Sequence, residues 1–227
     1  MQKIISAFVI AIGLAFSGYF IGYGILNFHQ FNRYVAVKGL AEKTVKANEA
    51  VLSISFNATG DSLKEIYQNI KQSQNTIVQF LNKNGISQNE ISLGSTSINT
   101  NDQKDNQKQP KYSAYANISV VTSKVDLVKK LNQETGDLIE KGVLLTSSSA
   151  NYRYTDLNQI KPQMLIKATE SAKKAASTFA KNADAHVGSI RQASQGLFSI
   201  SNANDNYGNE DIMKKVRVVV QVEYFVG

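Results

Sequence analysis

The sequence predicts an α+β fold in which an antiparallel sheet carries helices packed on one face, preceded by one N-terminal transmembrane helix. Three observations point to it. Residues Ile4 to Phe28 are almost entirely apolar or small, with no charge between Lys3 and Arg33, and nothing comparable recurs. Beyond them the apolar period alternates between two and about 3.6 residues, the mark of mixed strands and helices. Predicted strands outnumber predicted helices, and several are joined by hairpin-length links, which favours antiparallel pairing.

At about 1.5 Å of rise per residue, residues 4–28 would make a helix of roughly 37 Å, enough to cross a hydrocarbon core of roughly 30 Å with some tilt. The division expected is a membrane anchor over residues 1–30 and one α+β domain over residues 31–227. A cleaved signal peptide is the rival, because Lys3 supplies a positive n-region and Ala15-Phe16-Ser17 a small-x-small cleavage pattern. Tyr19, Phe20, Ile21, Ile25, Leu26 and Phe28 carry the run well past that point, whereas an h-region needs only about 7 to 15 residues. The sequence therefore favours an uncleaved anchor inserted in the lipid bilayer through residues 4–28. Gly18 and Gly22 have the small-xxx-small spacing that lets two membrane helices approach closely, although glycine is frequent in such helices in any case. Only Lys3 precedes the span, while Arg33, Lys38, Lys43 and Lys46 follow it, a distribution that by simple counting keeps the body in the cytosol. Long domains behind a first helix translocate largely regardless of charge. The expectation is a bacterial inner-membrane protein with its body in the periplasm.

The elements follow in order. Leu52, Ile54, Phe56 and Ala58 alternate with Ser53, Ser55 and Asn57, a half-buried strand. Gly60-Asp61 ends it. Ser62 with Glu65 then reads as a capping box before a helix with Leu63, Ile66, Ile70, Ile77 and Leu81 on one face and Gly85 at its C-cap. Ile91–Thr100 and Tyr112–Ser123 are strands around the all-polar loop Asn101–Pro110. A second helix starts at Ser123 and Asp126 and runs through Val128, Leu131, Thr135 and Leu138 to Gly142. Val143–Tyr154 is a strand. The third helix sets Leu157, Ile160, Met164, Ala168, Ala172, Ala175, Phe179 and Ala183 on one side, about 3.7 residues apart, with the main helix beginning at Pro162. After Gly188 come Ser189–Ile200, an Asn-rich loop, and a last strand with Val216, Val218, Val220, Val222, Tyr224 and Val226 on a common side.

The chemistry these residues offer is sparse. With no cysteine in 227 residues, neither disulfides nor thiolates contribute. The formal charge is +7, but the lysines come as pairs, Lys129-Lys130, Lys173-Lys174 and Lys214-Lys215, beside apolar positions. That pattern describes solvated faces and lacks the basic stripe a nucleic-acid partner requires. His29 sits at the membrane boundary and His186 at the C-terminal end of the third helix, where the helix dipole favours it. Two histidines so placed do not make a recognisable metal site. No G-x-S-x-G elbow, Walker A loop or dinucleotide glycine fingerprint occurs, and Ser147-Ser148-Ser149 reads as a polar strand face. The expectation is a protein that is not an enzyme, with no catalytic residues, cofactor or metal. Asn202, Asn204, Asn206 and Gly208 imitate the spacing of a calcium loop but offer amides in place of carboxylates and lack the closing Glu. A turn between the last two strands explains them better. Asp102 and Asp105 flank lysines in the Asn101–Pro110 loop. Both loops, through Asp102, Asp105, Asn204 and Asn206, can serve as recognition tips on a rigid sheet.

A series of short motifs runs along the body: Val37-Lys38-Gly39-Leu40-Ala41-Glu42, Leu81 with Gly85-Ile86, Gly142-Val143 and Tyr152. It continues through the run Ala168 to Ala176 with Phe179-Ala180, then Gly188, Gln195-Gly196 and Val216-Arg217-Val218. In the order of these motifs the chain resembles the SIMPL-domain family, also called the periplasmic immunogenic or oxidative-stress-defence family, and in particular its membrane-anchored bacterial branch. Asn48 stands where the family's pattern has Asp. The resemblance implies an exported or envelope-associated α+β protein, ring-like or channel-like homo-oligomers in some members, and a proposed association with resistance to oxidative stress. It brings no catalytic residues with it.

Three classes of function follow from this reading. One is a tethered envelope protein acting by homo-oligomeric assembly. Another is a periplasmic binding or adaptor module presenting its polar loops to a protein or cell-wall partner. The third is an oxidant-detoxifying enzyme, for which the chain lacks cysteine, clustered metal ligands and a flavin or nucleotide motif. The first is the expectation.

Overall fold

The computed structural model describes residues 11–23, 33–101, 110–204 and 211–227. Residues 11–23 are helical (α1). The order is then β1 (Tyr34–Lys46), β2 (Glu49–Gly60), α2 (Leu63–Lys83), a 3-10 turn at Gln88–Glu90, β3 (Ile91–Thr100) and β4 (Tyr112–Thr122). It continues with α3 (Val125–Gln133), α4 (Gly136–Glu140), β5 (Leu144–Arg153), α5 (Leu157–Asn182), β6 (Val187–Gln195), β7 (Ser199–Asn202) and β8 (Met213–Val226). The fold is α+β with antiparallel pairing, as the hydrophobic periods imply. Among the described residues the strands nevertheless form two four-stranded sheets in place of one: β3-β4-β2-β5, and β1-β8-β6 with β7 also on β8. A period of two fixes which side chains share a face and leaves the identity of the partner strand open. The chain divides into two compact units, unit 1 from Met1–Lys43, Ile160–Ser199 and Arg217–Gly227, and unit 2 from Thr44–Gln159 and Ile200–Val216.

Unit 2 is built on the sheet β3-β4-β2-β5. Pairing of β2 with β4 sets Leu52 opposite Val120, Ile54 opposite Ile118, Phe56 opposite Ala116 and Ala58 opposite Ala114, so one face is continuously apolar and buried. Ile66, Ile70, Ile77, Phe80 and Leu81 of α2 and Val125, Val128 and Leu131 of α3 close over that face. Ser62 caps α2 by accepting from Glu65 N–H at 3.2 Å, while the Glu65 carboxylate accepts from Asp61 N–H at 2.9 Å, one residue earlier than a capping box would have it. Gly85 follows the helix at φ +93°, a conformation costly for any residue with a Cβ. The expected single helix to Gly142 is two. Glu134 N–H is shared between the carbonyls of Lys130 and Leu131, the Thr135 hydroxyl bonds back to Asn132 O at 3.0 Å, and α4 restarts at Gly136, a poor helix former. Asn48, between β1 and β2, accepts from Thr155 N–H through Oδ1 at 2.8 Å and donates through Nδ2 to Thr155 Oγ1 at 3.0 Å. The N–H acceptor is one that Asp would supply equally, so this position has a structural use.

Unit 1 has a different interior. Val37, Gly39 and Ala41 on β1 and Val218, Val220, Val222 and Tyr224 on β8 alternate inward. Helix α5 runs unbroken from Leu157 with Pro162 inside it, so the main helix does not start at the proline. The carbonyl that proline leaves unpaired belongs to the first turn, and buried Ile160 and Met164 hold the helix on either side. The buried row is Ile160, Met164, Ala168, Ala172, Ala176 and Ala180, a strict four-residue step. The expected shift to Ala175, Phe179 and Ala183 does not occur, and Phe179 is 61% exposed. The reason lies at Gly39: a Cβ there would sit 1.9 Å from Ala168 O and 2.8 Å from Ala172 Cβ. Only small residues fit where helix and strand backbones come this close. The expected segment Ser189–Ile200 is two strands, β6 and β7, interrupted at Gly196–Phe198.

On α1, Leu14, Phe16, Tyr19, Phe20, Ile21 and Tyr23 are all exposed. Among the described residues no helix is long and apolar enough to cross a membrane. Residues 4–10 and 24–28 of the expected span lie outside the described residues, as does His29.

Candidate functional site

The polar feature that stands out in unit 2 is Lys214. Its position on β8 has the same parity as Val216, Val218, Val220 and Val222, so its side chain enters the buried row of that strand. Lys214 is 5% exposed, against the expectation that the Lys214-Lys215 pair forms a solvated face. Lys129, Lys130, Lys173 and Lys174 are exposed as that reading requires. The Lys214 ammonium donates to Asn202 Oδ1 on the paired strand β7. Burial lowers its pKa, and the charge of Asp211 partly restores it.

Asp211 is held by the hairpin itself. Burial alone would raise its pKa, yet N–H donors from Met213 and Asn204, both at 2.9 Å, together with Lys214 and Ala203 N–H, keep the carboxyl below its ordinary value. Ala203 N–H also bonds Met213 O at 2.8 Å, closing the β7–β8 hairpin. The reading of the Asn-rich segment as a turn between the last two strands therefore matches the structure at both of its ends. Asn204 takes part through its backbone and its residue is exposed. Asn206 lies outside the described residues.

Two surface concavities flank this cluster, and Tyr152 of β5 lines both. One, of about 470 Å³, is bordered by Asn151, Arg153, Tyr154, Ser201, Asn202 and Lys214. The other, also about 470 Å³, is bordered by Lys129, Asn132, Gln133, Asn204 and Asp211. Arg153 is paired with Glu49 across β5 and β2. A buried cation, amides, tyrosines and a serine thus line the first hollow together. Sequence reasoning passed over Lys214, though its parity in a period-two row was the available signal.

The other sequence-predicted positions do not join it. Gly18 and Gly22 lie on α1, where a Cβ would meet nothing within 4 Å. Asp102 and Asp105 lie outside the described residues, but the base of their loop is well defined. Asn101 N–H bonds Lys111 O at 2.9 Å, Asn101 Nδ2 bonds Pro110 O at 2.8 Å, and Ser113 Oγ donates to Asn101 Oδ1 at 3.2 Å. His186 falls beyond the end of α5 and exchanges backbone bonds with Gly227. Among the described residues no cluster of three or more His, Cys, Asp or Glu is placed to hold a metal ion.

Comparison with known proteins gives one clear match. The profile of the SIMPL family, described as proteins of unknown function, covers residues 35–224. No curated protein sequence matches. Among solved structures, a hydrolase from Listeria innocua is similar at 13% identity and a TM-score of 0.23, covering 82% of this chain and 91% of that one. An uncharacterized conserved protein from Listeria innocua follows at 11% identity and 0.19, covering 79% and 91%. An amidase of the hydantoinase/carbamoylase family from Burkholderia multivorans reaches 6% identity and 0.20, covering 52% and 28%. At such scores the hydrolase and amidase descriptions stay with those proteins.

Proposed function

This chain belongs to the SIMPL family, and on that premise we propose that it is a membrane-tethered envelope protein that acts without catalysis, by assembling with copies of itself on the periplasmic face of a bacterial inner membrane. The observation that carries the tether is the uncharged run from Ile4 to Phe28, inside which α1 turns large apolar side chains outward. A helix apolar all round suits hydrocarbon better than water. A place in envelope or oxidative-stress defence is part of the same reading and rests on the family likeness alone.

The assembly half of the reading is supported by β3. This strand lies at the edge of its sheet and is exposed from Ser92 to Thr100. Leu93 and Ile98 pair with buried Ile118 and Ala114, yet remain 54% and 47% exposed. A strand at the edge of its sheet among the described residues, with half-covered apolar side chains, is a ready template for strand or surface pairing with another copy.

A single-cysteine label tests the tether in this cysteine-free background. Gln107→Cys should react with a membrane-impermeant maleimide in cells whose outer membrane alone is permeabilised, while the protein stays with the membrane after a high-salt wash. A label that appears only after the inner membrane is opened, or a protein released in soluble form, overturns it. Light scattering of the full chain in detergent should show a particle of several copies, and a monomer at every concentration overturns the assembly reading.

The binding-module alternative keeps one observation in its favour: the pinned base at Asn101, Pro110 and Ser113 offers a firm platform for the polar loop.

A further inference from the structure

The geometry points to a carboxylate-binding site in unit 2, in the hollow whose floor is Lys214 and whose wall is the end of β5. The ligand class is a small carboxylic acid anion, or a chain ending in one. The inference does not depend on the tether or on assembly.

Lys214 is a nearly fully buried ammonium in a row of valines. Leaving water costs such an ion several kcal/mol unless hydrogen bonds and opposite charge replace the solvent. Its direct partner among the described residues is the neutral amide oxygen of Asn202, and an ammonium has three donors to place. Asp211 attracts it electrostatically, but the two Asp211 oxygens are each committed to a backbone N–H, one to Met213 and one to Asn204. Among the described residues, the hairpin therefore gives this ammonium one direct hydrogen-bond acceptor and one offsetting charge for its three donors.

The hollow supplies what is missing. Among the described residues, Lys214 and Arg153 are the charged ones that border it. Asn151 and Ser201 add groups able to donate hydrogen bonds, and Tyr152 and Tyr154 add aromatic walls. Arg153 is already engaged by Glu49, so Lys214 is the cation left to meet a ligand. One such cation, with no helix N-terminus among the described residues that border the site, matches the single charge of a carboxylate better than the double charge of a phosphate. Asp211 borders the neighbouring hollow instead. Its charge therefore offsets Lys214 without occupying the place the ligand would take.

The test uses the full-length protein in neutral detergent, titrated at constant ionic strength with acetate, succinate and inorganic phosphate, and read by thermal unfolding and isothermal titration calorimetry. Succinate or acetate should raise the melting temperature in a saturable way, as a ligand of the native state must. Phosphate should do so less or not at all. Lys214→Met should weaken the carboxylate affinity by roughly tenfold or more, the equivalent of one charge-assisted hydrogen bond. Ser201→Phe, an exposed position at the rim, should fill the hollow and remove the response while leaving the unliganded melting temperature near that of the parent. This second variant keeps the test decisive if Lys214→Met fails to fold. Saturable shifts that persist in Ser201→Phe, a stronger response to phosphate than to carboxylates, or no saturable response in the parent each overturn the proposal.

Discussion

Helix α2 in unit 2 and helix α5 in unit 1 each lie against strands, and they do so with opposite side-chain chemistry. Helix α2 presents Ile66, Ile70, Ile77, Phe80 and Leu81, large groups that fill the space above the strands. Helix α5 presents Ala168, Ala172, Ala176 and Ala180, and at Gly39 the strand gives up its side chain so that the backbones meet. Filled space loses stability when a group is removed, whereas a close approach loses it when a group is added. The two units should therefore fail under opposite kinds of mutation.

The largest effect is expected at Gly39. Gly39→Ala puts a carbon 1.9 Å from Ala168 O and 2.5 Å from Ala172 N, both backbone atoms that cannot swing aside. We expect a loss of more than about 4 kcal/mol, beyond ordinary overpacking, seen in urea unfolding followed by circular dichroism. Wild-type stability in this variant would break the comparison. Next, Ile77→Ala removes a fully buried side chain from unit 2 and should cost about 3 kcal/mol by the same measurement.

The smallest effect sharpens the contrast through pH. In the described residues the two carboxyls with lowered pKa, Glu90 and Asp211, both belong to unit 2. Ser87 N–H, the Thr122 hydroxyl and Lys124 hold Glu90 below its ordinary value, against a smaller opposing effect of burial. The N–H and hydroxyl donors each lie at 2.7 Å and Lys124 at 3.3 Å. A carboxyl depressed on folding binds fewer protons in the native state, so its stabilisation is complete above about 4.5 and is lost as pH falls through the folded value. Glu90→Gln should cost about 1 kcal/mol at pH 7 and flatten the acid limb of the stability curve. An unchanged acid limb would show that other groups drive acid unfolding.

Much of the local structure is legible without coordinates. The alternation in β2, β4 and β8, the Ser62 cap, and the left-handed Gly85 and Gly142 depend on neighbours within a few residues, and the sequence shows those directly. The errors fall where distant partners decide or where an apolar spacing hides a local break. Phe179 has the spacing of a core residue, yet the approach of β1 at Gly39 admits only alanine-sized groups along α5. Thr135 and Leu138 continue an apolar edge, yet the Thr135 hydroxyl and Gly136 turn the chain between them. Lys214 looks like half of a solvated pair because its charge outweighs its inward parity in β8, and Asn202 on the paired strand receives the ammonium there.

From its residues alone the chain determines its α+β class, the face each strand turns inward, its helix caps, and its family, because these follow from periodicity and from backbone preferences that act over one or two turns. Division into two sheets and the four-residue step of α5 were decided only by tertiary structure. Each depends on which segments, far apart in sequence, come within van der Waals reach, and a one-dimensional pattern carries no record of that distance.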